Sequence, residues 1–338
     1  VNESLDRGNR EFRIAPDTAG INLNFMTPTT PKFHGICPAV VTPCGKDDRL
    51  EEEALAKQIS ALYGEGVHGL YLCGLTGDGY LMSLEERKRT AEIGVASSKG
   101  RGYTIAHVGT QDVRSTCLLA EHAAASGVKA VAAIPPLNRS HGEICIFYSE
   151  LVRAASGLPV FIYHIPVYTH SQPSLDQFKD LVGIDGVSGL KFTDYNLHLA
   201  GHLFAMKEDL LLLYGRDEQL LAGFLFGAQA GVGSTYNVFA KHYVELWNAV
   251  SADDWNKARL IQKRNSVLFR ILENFGLMPG IEAILKRRGL LTKCFRQPAI
   301  GLTEQQSDEL HRRLDSEFEN IIMRAPLSEN YKSDGNKR

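Results

Sequence analysis

Residues 187–196, VSGLKFTDYN, set Lys191 inside an apolar, β-prone run whose nearest acidic residue in sequence is Asp194. A lysine is almost never fully buried unless it is paired, so Lys191 belongs either at the mouth of a strand or in a site that uses its amine. An amine with an ordinary pKa of about 10.4 becomes a nucleophile towards ketones when desolvation disfavours its charged form. The product is a Schiff base. Its protonated nitrogen acts as an electron sink, so a carbon–carbon bond beside the former carbonyl can be made or broken. That chemistry needs a proton shuttle and an anchor for the ketone's other substituent. Tyr163, in the run PVFIYH at 159–164, offers a phenol. The segment GLTGDG at 74–79 offers backbone N–H groups, the Thr76 hydroxyl and flanking glycines that permit close approach, a fair nest for a carboxylate.

Each of these signals has an ordinary explanation when taken alone. A lysine at a strand end commonly snorkels, a tyrosine in an apolar strand is commonly core with its hydroxyl satisfied, and RDE at 216–218 reads as a favourably charged helix start. Their joint placement is what carries weight, and it depends on the elements that hold them. From residue 36 onward, short apolar runs at 36–42, 69–74, 104–109, 130–135, 159–164, 187–192, 210–215 and 230–235 alternate with amphipathic segments that start with acids and end near glycine. Strands alternating with helices imply parallel pairing, because each crossover helix must pack back on the sheet. Eight such units fit a (β/α)8 TIM barrel better than an open doubly wound sheet, and no GxGxxG follows the first strand. In a barrel of this kind the strand C-termini share one mouth. Lys191, Tyr163, GLTGD after strand two, GRDE at 215–218, GSTYN at 233–237 and Thr42, which closes strand one, then converge there.

Beyond about residue 238 the pattern is wholly helical, which predicts a catalytic barrel over 31–250 and an appended helical region over 251–325. Residues 1–30, polar and without the apolar core of a secretory signal, read as a flexible extension or alternative start, and 326–338 as a polar tail. The 338-residue chain is 44% hydrophobic and 22% charged with a formal charge of −2, so it can build a large core and has no basic excess to draw it to nucleic acid or membrane. Six scattered cysteines form no CxxC pair and no zinc spacing, and read as reduced thiols of a cytoplasmic protein. No metal is expected.

These residues together resemble the pyruvate-dependent class I aldolase family that includes dihydrodipicolinate synthase and N-acetylneuraminate lyase. GLTGDGYLMSLEER, YHIP and GLKFTD are similar to that family's G-[ST]-T-G-E, Y-[NH]-[IV]-P and G-[IV]-K segments, and the likeness runs from about residue 33 to 320. It implies that Lys191 forms the Schiff base, that Tyr163 relays protons, and that the peptide at Leu75–Thr76 with the Thr76 hydroxyl grips the pyruvyl carboxylate. It implies a homo-oligomer, by family habit a tetramer, and no cofactor beyond the covalent Schiff base. Tyr168 stands where the dihydrodipicolinate synthases carry a carboxylate-binding arginine, and Leu137 where they carry a tyrosine. GRDEQLLAGFLFGAQAGVGSTYN instead resembles the neuraminate lyases, which implies that Thr193, Gly215, Asp217, Glu218, Gly233 and Ser234 hold a polyhydroxylated chain. The chain departs from the family pattern at Leu75, where Ser or Thr is usual, and at Asp78, where Glu is usual. The expected activity is cleavage of N-acetylneuraminate to pyruvate and N-acetylmannosamine. The alternatives are a sister aldolase or dehydratase acting on another 2-keto-3-deoxy sugar acid, and a catalytically weakened sugar-acid-binding protein.

Overall fold

A computed structural model describes residues 33–206 and 209–324, with 318–324 described by their backbone. The segments expected to be an N-terminal extension and a polar tail lie outside the described residues. Eight strands form one parallel sheet: β1 (Gly35–Pro38), β2 (Gly69–Leu72), β3 (Tyr103–His107), β4 (Ala130–Ala133), β5 (Val160–His164), β6 (Val187–Phe192), β7 (Leu211–Tyr214) and β8 (Ala230–Gly233). Each pairs with its sequence neighbour from β2 through β8, and β8 returns to β1. The β1–β2 seam closes by a bridge from Ala39 to Tyr71 and by the Val40 N–H donating to the Tyr71 carbonyl at 2.9 Å. The fold is thus a TIM barrel.

Helices α1 (Glu52–Gly64), α2 (Leu84–Ser98), α3 (Val113–Ser126), α4 (His141–Ala154), α5 (Pro166–Thr169), α6 (Leu175–Val182), α7 (Leu197–Met206), α8 (Leu220–Leu225) and α9 (Tyr236–Ser251) connect or follow the strands. Their starts are written locally: Ser83–Glu86, Ser140–Glu143 and Ser174–Gln177 form reciprocal capping boxes, and the Asp112 side chain accepts the Ser115 N–H. Three further helices, α10 (Trp255–Phe275), α11 (Leu277–Arg287) and α12 (Glu304–Arg324), follow the barrel.

Alternation along the strands divides the core in two. One face buries residues such as Leu70, Val131 and Leu212 against the helices; the other fills the barrel with Phe33, Cys37, Tyr71, Tyr103, Ile105, Phe161 and Leu213. Strand one is shorter than the apolar run suggests. Past Pro38 the Ala39 N–H still donates to the Gly233 carbonyl at 2.9 Å, and from Val40 the chain turns from β8 to β2. Thr42 therefore lies four residues past the strand rather than closing it, buried in a segment held by Asn237, which accepts from the Val41 N–H at 3.2 Å and donates to the Ala39 carbonyl at 2.7 Å.

Candidate active site at the barrel mouth

Lys191 and Tyr163 are register partners on β6 and β5, each one residue short of its strand's end. Parallel pairing sends both side chains to the same side of the sheet, into the barrel. Lys191 is 4% exposed, and its Nζ lies 3.8 Å from the centre of the Tyr163 ring and 4.2 Å from that of Tyr71. The two rings meet edge to face, 6.0 Å apart at 84°. Among the described residues no carboxylate pairs with the amine; the Asp194 carboxylate instead faces His164 Nε2 at 3.2 Å and accepts the Asn196 N–H.

Behind the aromatic cage sits a second buried cation. Arg87, on α2, donates to the carbonyls of His107 at 2.6 Å and Gly109 at 3.1 Å. The His107 ring packs edge-on against Tyr163, and its Nε2 accepts the Ile134 N–H at 3.1 Å. Burial, then the Arg87 and Lys191 charges, push His107 well below the usual imidazole range, so it is neutral. This prop ties α2, β3 and the end of β4 together under the cage. Arg87 and His107 were not singled out in the sequence, where they read as one helix cation and one strand-end histidine.

The GLTGDG segment folds as a single 3-10 turn, Leu75–Gly77. The N–H groups of Gly77 and Gly79 go to the Gly74 carbonyl and that of Asp78 to the Leu75 carbonyl, which leaves those of Leu75 and Thr76 as the turn's outward donors. The Thr76 hydroxyl is 2.7 Å from that of Ser234 at the end of β8. The Leu75 side chain packs against the barrel-filling cluster beside Tyr168. The Asp78 carboxylate, which also lines the cavity, accepts the Arg296 N–H at 2.9 Å.

On the opposite rim, Gly215 brings Thr193 close: a Cβ there would fall 2.0 Å from Thr193 Oγ1. Gly233 does the same for Asp217, whose Oδ1 would meet a Cβ at 2.0 Å. Asp217 is buried, and its Oδ2 accepts both the N–H and the hydroxyl of Thr235, at 2.8 and 2.6 Å. Burial outweighs these donors and pushes the carboxyl up to about 6. Thr193 Oγ1 and Glu218 Oε1 are buried without a partner among the described residues. Within GSTYN, then, Ser234 faces the site, whereas Thr235 and Asn237 serve the fold.

Lys191, Tyr163, Leu75, Thr76, Thr193, Gly215, Asp217, Glu218 and Ser234 line one cavity of about 970 Å3, at the upper end of the range for small-molecule sites. Gly233 sits just beneath it. The sequence reading missed Tyr80, Ile165 and Arg216, which also line it; the Arg216 guanidinium lies 3.8 Å from the Tyr195 ring centre. Its outer wall comes from α11 and the stretch beyond, through Leu277, Met278, Phe295 and Ile300. The arrangement can place a carboxylate on the 75–76 turn, a ketone against Lys191 and a polar chain along the Thr193–Glu218 rim. Among the described residues no group of three or more histidine, cysteine or acidic side chains could hold a metal ion, and no helix is long and apolar enough to cross a membrane.

Residues 32–317 match the model of the dihydrodipicolinate synthetase family. The chain is 32% identical over 291 residues to N-acetylneuraminate lyase 2 of Escherichia coli, covering 85% of this chain and 95% of that protein. It is 34% identical over 262 residues to N-acetylneuraminate lyase of Salmonella paratyphi B, covering 77% and 88%. Among solved structures it resembles N-acetylneuraminate lyase from Mycoplasma synoviae, with a TM-score of 0.79 and 29% identity over 85% of this chain and 98% of that one.

Proposed function

The chain belongs to the dihydrodipicolinate synthetase family and is a class I pyruvate-dependent aldolase, a carbon–carbon lyase; from that premise we propose that it cleaves N-acetylneuraminate to pyruvate and N-acetylmannosamine. The observation that carries this reading is the Lys191 amine between two tyrosine rings at the floor of the cavity. The Leu75 and Thr76 N–H groups receive the substrate carboxylate. The Lys191 nitrogen adds to the C2 ketone; a proton moves from nitrogen to the new oxygen, which takes a second proton from solvent and leaves as water to give the iminium. Tyr163, having released its own proton to solvent, takes the C4 hydroxyl proton as the C3–C4 bond breaks, the electrons of that bond flow to the iminium, and the aldehyde departs. The enamine takes that proton back at C3, and hydrolysis releases pyruvate and the amine.

The rim residues support a polyol substrate. Thr193 and Glu218 hold buried polar atoms that lack partners among the described residues, and hydroxyls of a sugar chain would satisfy both a donor and an acceptor there. By resemblance the enzyme is a homo-oligomer. Tyr168 and the apolar outer wall formed by Leu277, Met278 and Ile300 favour a second reading. In it, the same chemistry acts on another 2-keto-3-deoxy sugar acid with a less polar tail.

Borohydride reduction in the presence of pyruvate, followed by peptide mass spectrometry, should label Lys191, and Lys191→Ala should lose both label and turnover. A panel of 2-keto-3-deoxy sugar acids with pyruvate detection then ranks the substrates. An unlabelled Lys191 would refute the mechanism, and a better substrate than N-acetylneuraminate would replace the first reading with the second.

A further inference from the structure

Tyr71 is fully buried at the seam of the barrel, and its hydroxyl meets no hydrogen-bond partner among the described residues. A buried hydroxyl without a partner works against folding, so its persistence asks for a reason. The hydroxyls around it are engaged elsewhere: that of Tyr148 donates to the Ala133 carbonyl at 2.8 Å, and that of Tyr103 to the His34 carbonyl at 3.0 Å. Thr76 is held by Ser234, and Leu75 has no hydroxyl to offer. Tyr71 is also the second wall of the Lys191 cage, edge to face with Tyr163. Its place is fixed by the seam bridge to Ala39 and by the His107 ring 6.4 Å away. We infer that Tyr71 is a positioning residue for the lyase reaction: its hydroxyl donates a hydrogen bond to the Tyr163 oxygen when that phenol gives up its proton, and so stabilises the transient phenolate.

This inference rests on the aldolase reading. The shuttle requires Tyr163 to alternate between phenol and phenolate, and a phenolate in a low-dielectric interior needs a donor; Tyr71 makes no hydrogen bond to Tyr163 in this structure, so the bond forms as Tyr163 ionises. Burial holds Tyr71 well above the usual phenol range, with the neighbouring Tyr163 adding to the effect, so Tyr71 stays protonated and acts as a donor rather than as a competing base. No atom of Tyr71 is transferred. Tyr163 takes a proton from the substrate and returns it, and Tyr71 supplies only the hydrogen bond. Tyr71 does not line the cavity, so its effect reaches the substrate only through Tyr163.

Tyr71→Phe keeps the ring and removes the donor. With pyruvate alone, two measurements separate iminium formation from proton transfer at C3: the rate of borohydride trapping at Lys191, and the exchange of pyruvate methyl protons with deuterated solvent followed by NMR. The variant should trap within about twofold of wild type yet exchange methyl protons at least tenfold more slowly, with kcat falling by the same factor and KM nearly unchanged. Unchanged exchange would overturn the inference. So would a parallel loss of trapping and exchange, because the hydroxyl would then hold the site together as a whole. If the wild-type enzyme itself fails to trap pyruvate, it is the aldolase reading that falls.

Discussion

The main-chain N–H of Arg296 donates a 2.9 Å hydrogen bond to the carboxylate of Asp78, a residue 218 positions earlier at the end of the 74–77 turn. The Arg296 side chain continues the clamp, with Nε donating to the Asp48 carbonyl and one terminal nitrogen 3.2 Å from Glu86. Asp78 thus anchors the stretch after α11, which supplies Phe295, Gln297 and Ile300 to the cavity wall.

Asp78→Ala should therefore act on the wall rather than on the chemistry. It orphans the Arg296 N–H, and an unsatisfied buried donor costs about 1–3 kcal/mol. We expect stability in urea to fall by that amount and KM for the sugar acid to rise several-fold, while pyruvate trapping at Lys191 is kept. Asp78→Asn, which retains an acceptor oxygen, should lose much less stability. Loss of trapping in Asp78→Ala would place the carboxylate in the pyruvate grip after all.

Asp217 predicts a pH dependence of both binding and stability. Its carboxyl, raised by burial to about 6, is ionised in the active rim above that pH and accepts two hydrogen bonds from Thr235. Protonation removes one of those acceptor sites, so kcat/KM should fall as pH drops through about 6. The stability effect has the opposite sign. A carboxyl whose folded pKa exceeds its unfolded value binds its proton more tightly in the folded state, so that contribution is complete below about pH 4 and is lost as pH rises through 6. A shift of this size corresponds to about 3 kcal/mol. Asp217→Asn should flatten the acid limb of kcat/KM and shrink the difference in stability between pH 4 and 8. An acid limb that persists in the variant would assign it to another group.

Gly215→Ala tests the rim by steric means. The new Cβ would meet Thr193 Oγ1 at 2.0 Å, far inside van der Waals contact, and so must displace the Thr193 side chain. Thr193 follows Lys191 by two residues, yet Lys191 is fixed from the other side by β5. KM for the sugar acid should therefore rise at least tenfold, with pyruvate trapping changed less than threefold. An unchanged KM would exclude Thr193 from the substrate site.

Much of the barrel was legible because its strands are local signals: short β-branched runs, capped helices and glycines after them. All eight strands fall within about two residues of the expected starts, and the rim residues expected from the ends of β5, β6, β7 and β8 do share one cavity. What the sequence hid is long-range. Thr42 was misplaced because the chain leaves β8 after Ala39 and its next N–H groups go to Tyr71 and Asn237. The GSTYN motif divides between site and fold because Asn237 is needed to hold the seam at residues 39–41. Arg87 looks like any helix arginine until the carbonyls of His107 and Gly109 close around it. Asp194, the acid nearest Lys191 in sequence, is not paired with it: the two side chains alternate across the strand's continuation and Asp194 meets His164 instead.

Leu75 is the departure from the family pattern with the most to say about rate. Its side chain packs on the barrel-filling cluster next to Tyr168, while its N–H and that of Thr76 remain the outward donors of the turn. If the carboxylate grip is made by those N–H groups, Leu75→Ser leaves it intact. The substitution should cost about 1–2 kcal/mol of stability through lost apolar burial, with the trapping KM for pyruvate and kcat each within about threefold of wild type. Combined with Tyr71→Phe, the new hydroxyl beside Tyr163 should recover part of the lost methyl-proton exchange, because either side chain could then supply the donor. A tenfold or greater gain in kcat from Leu75→Ser alone would mean that the wild-type chain is a weakened catalyst that mainly binds sugar acids, and it would remove the case for Leu75 being compatible with full turnover.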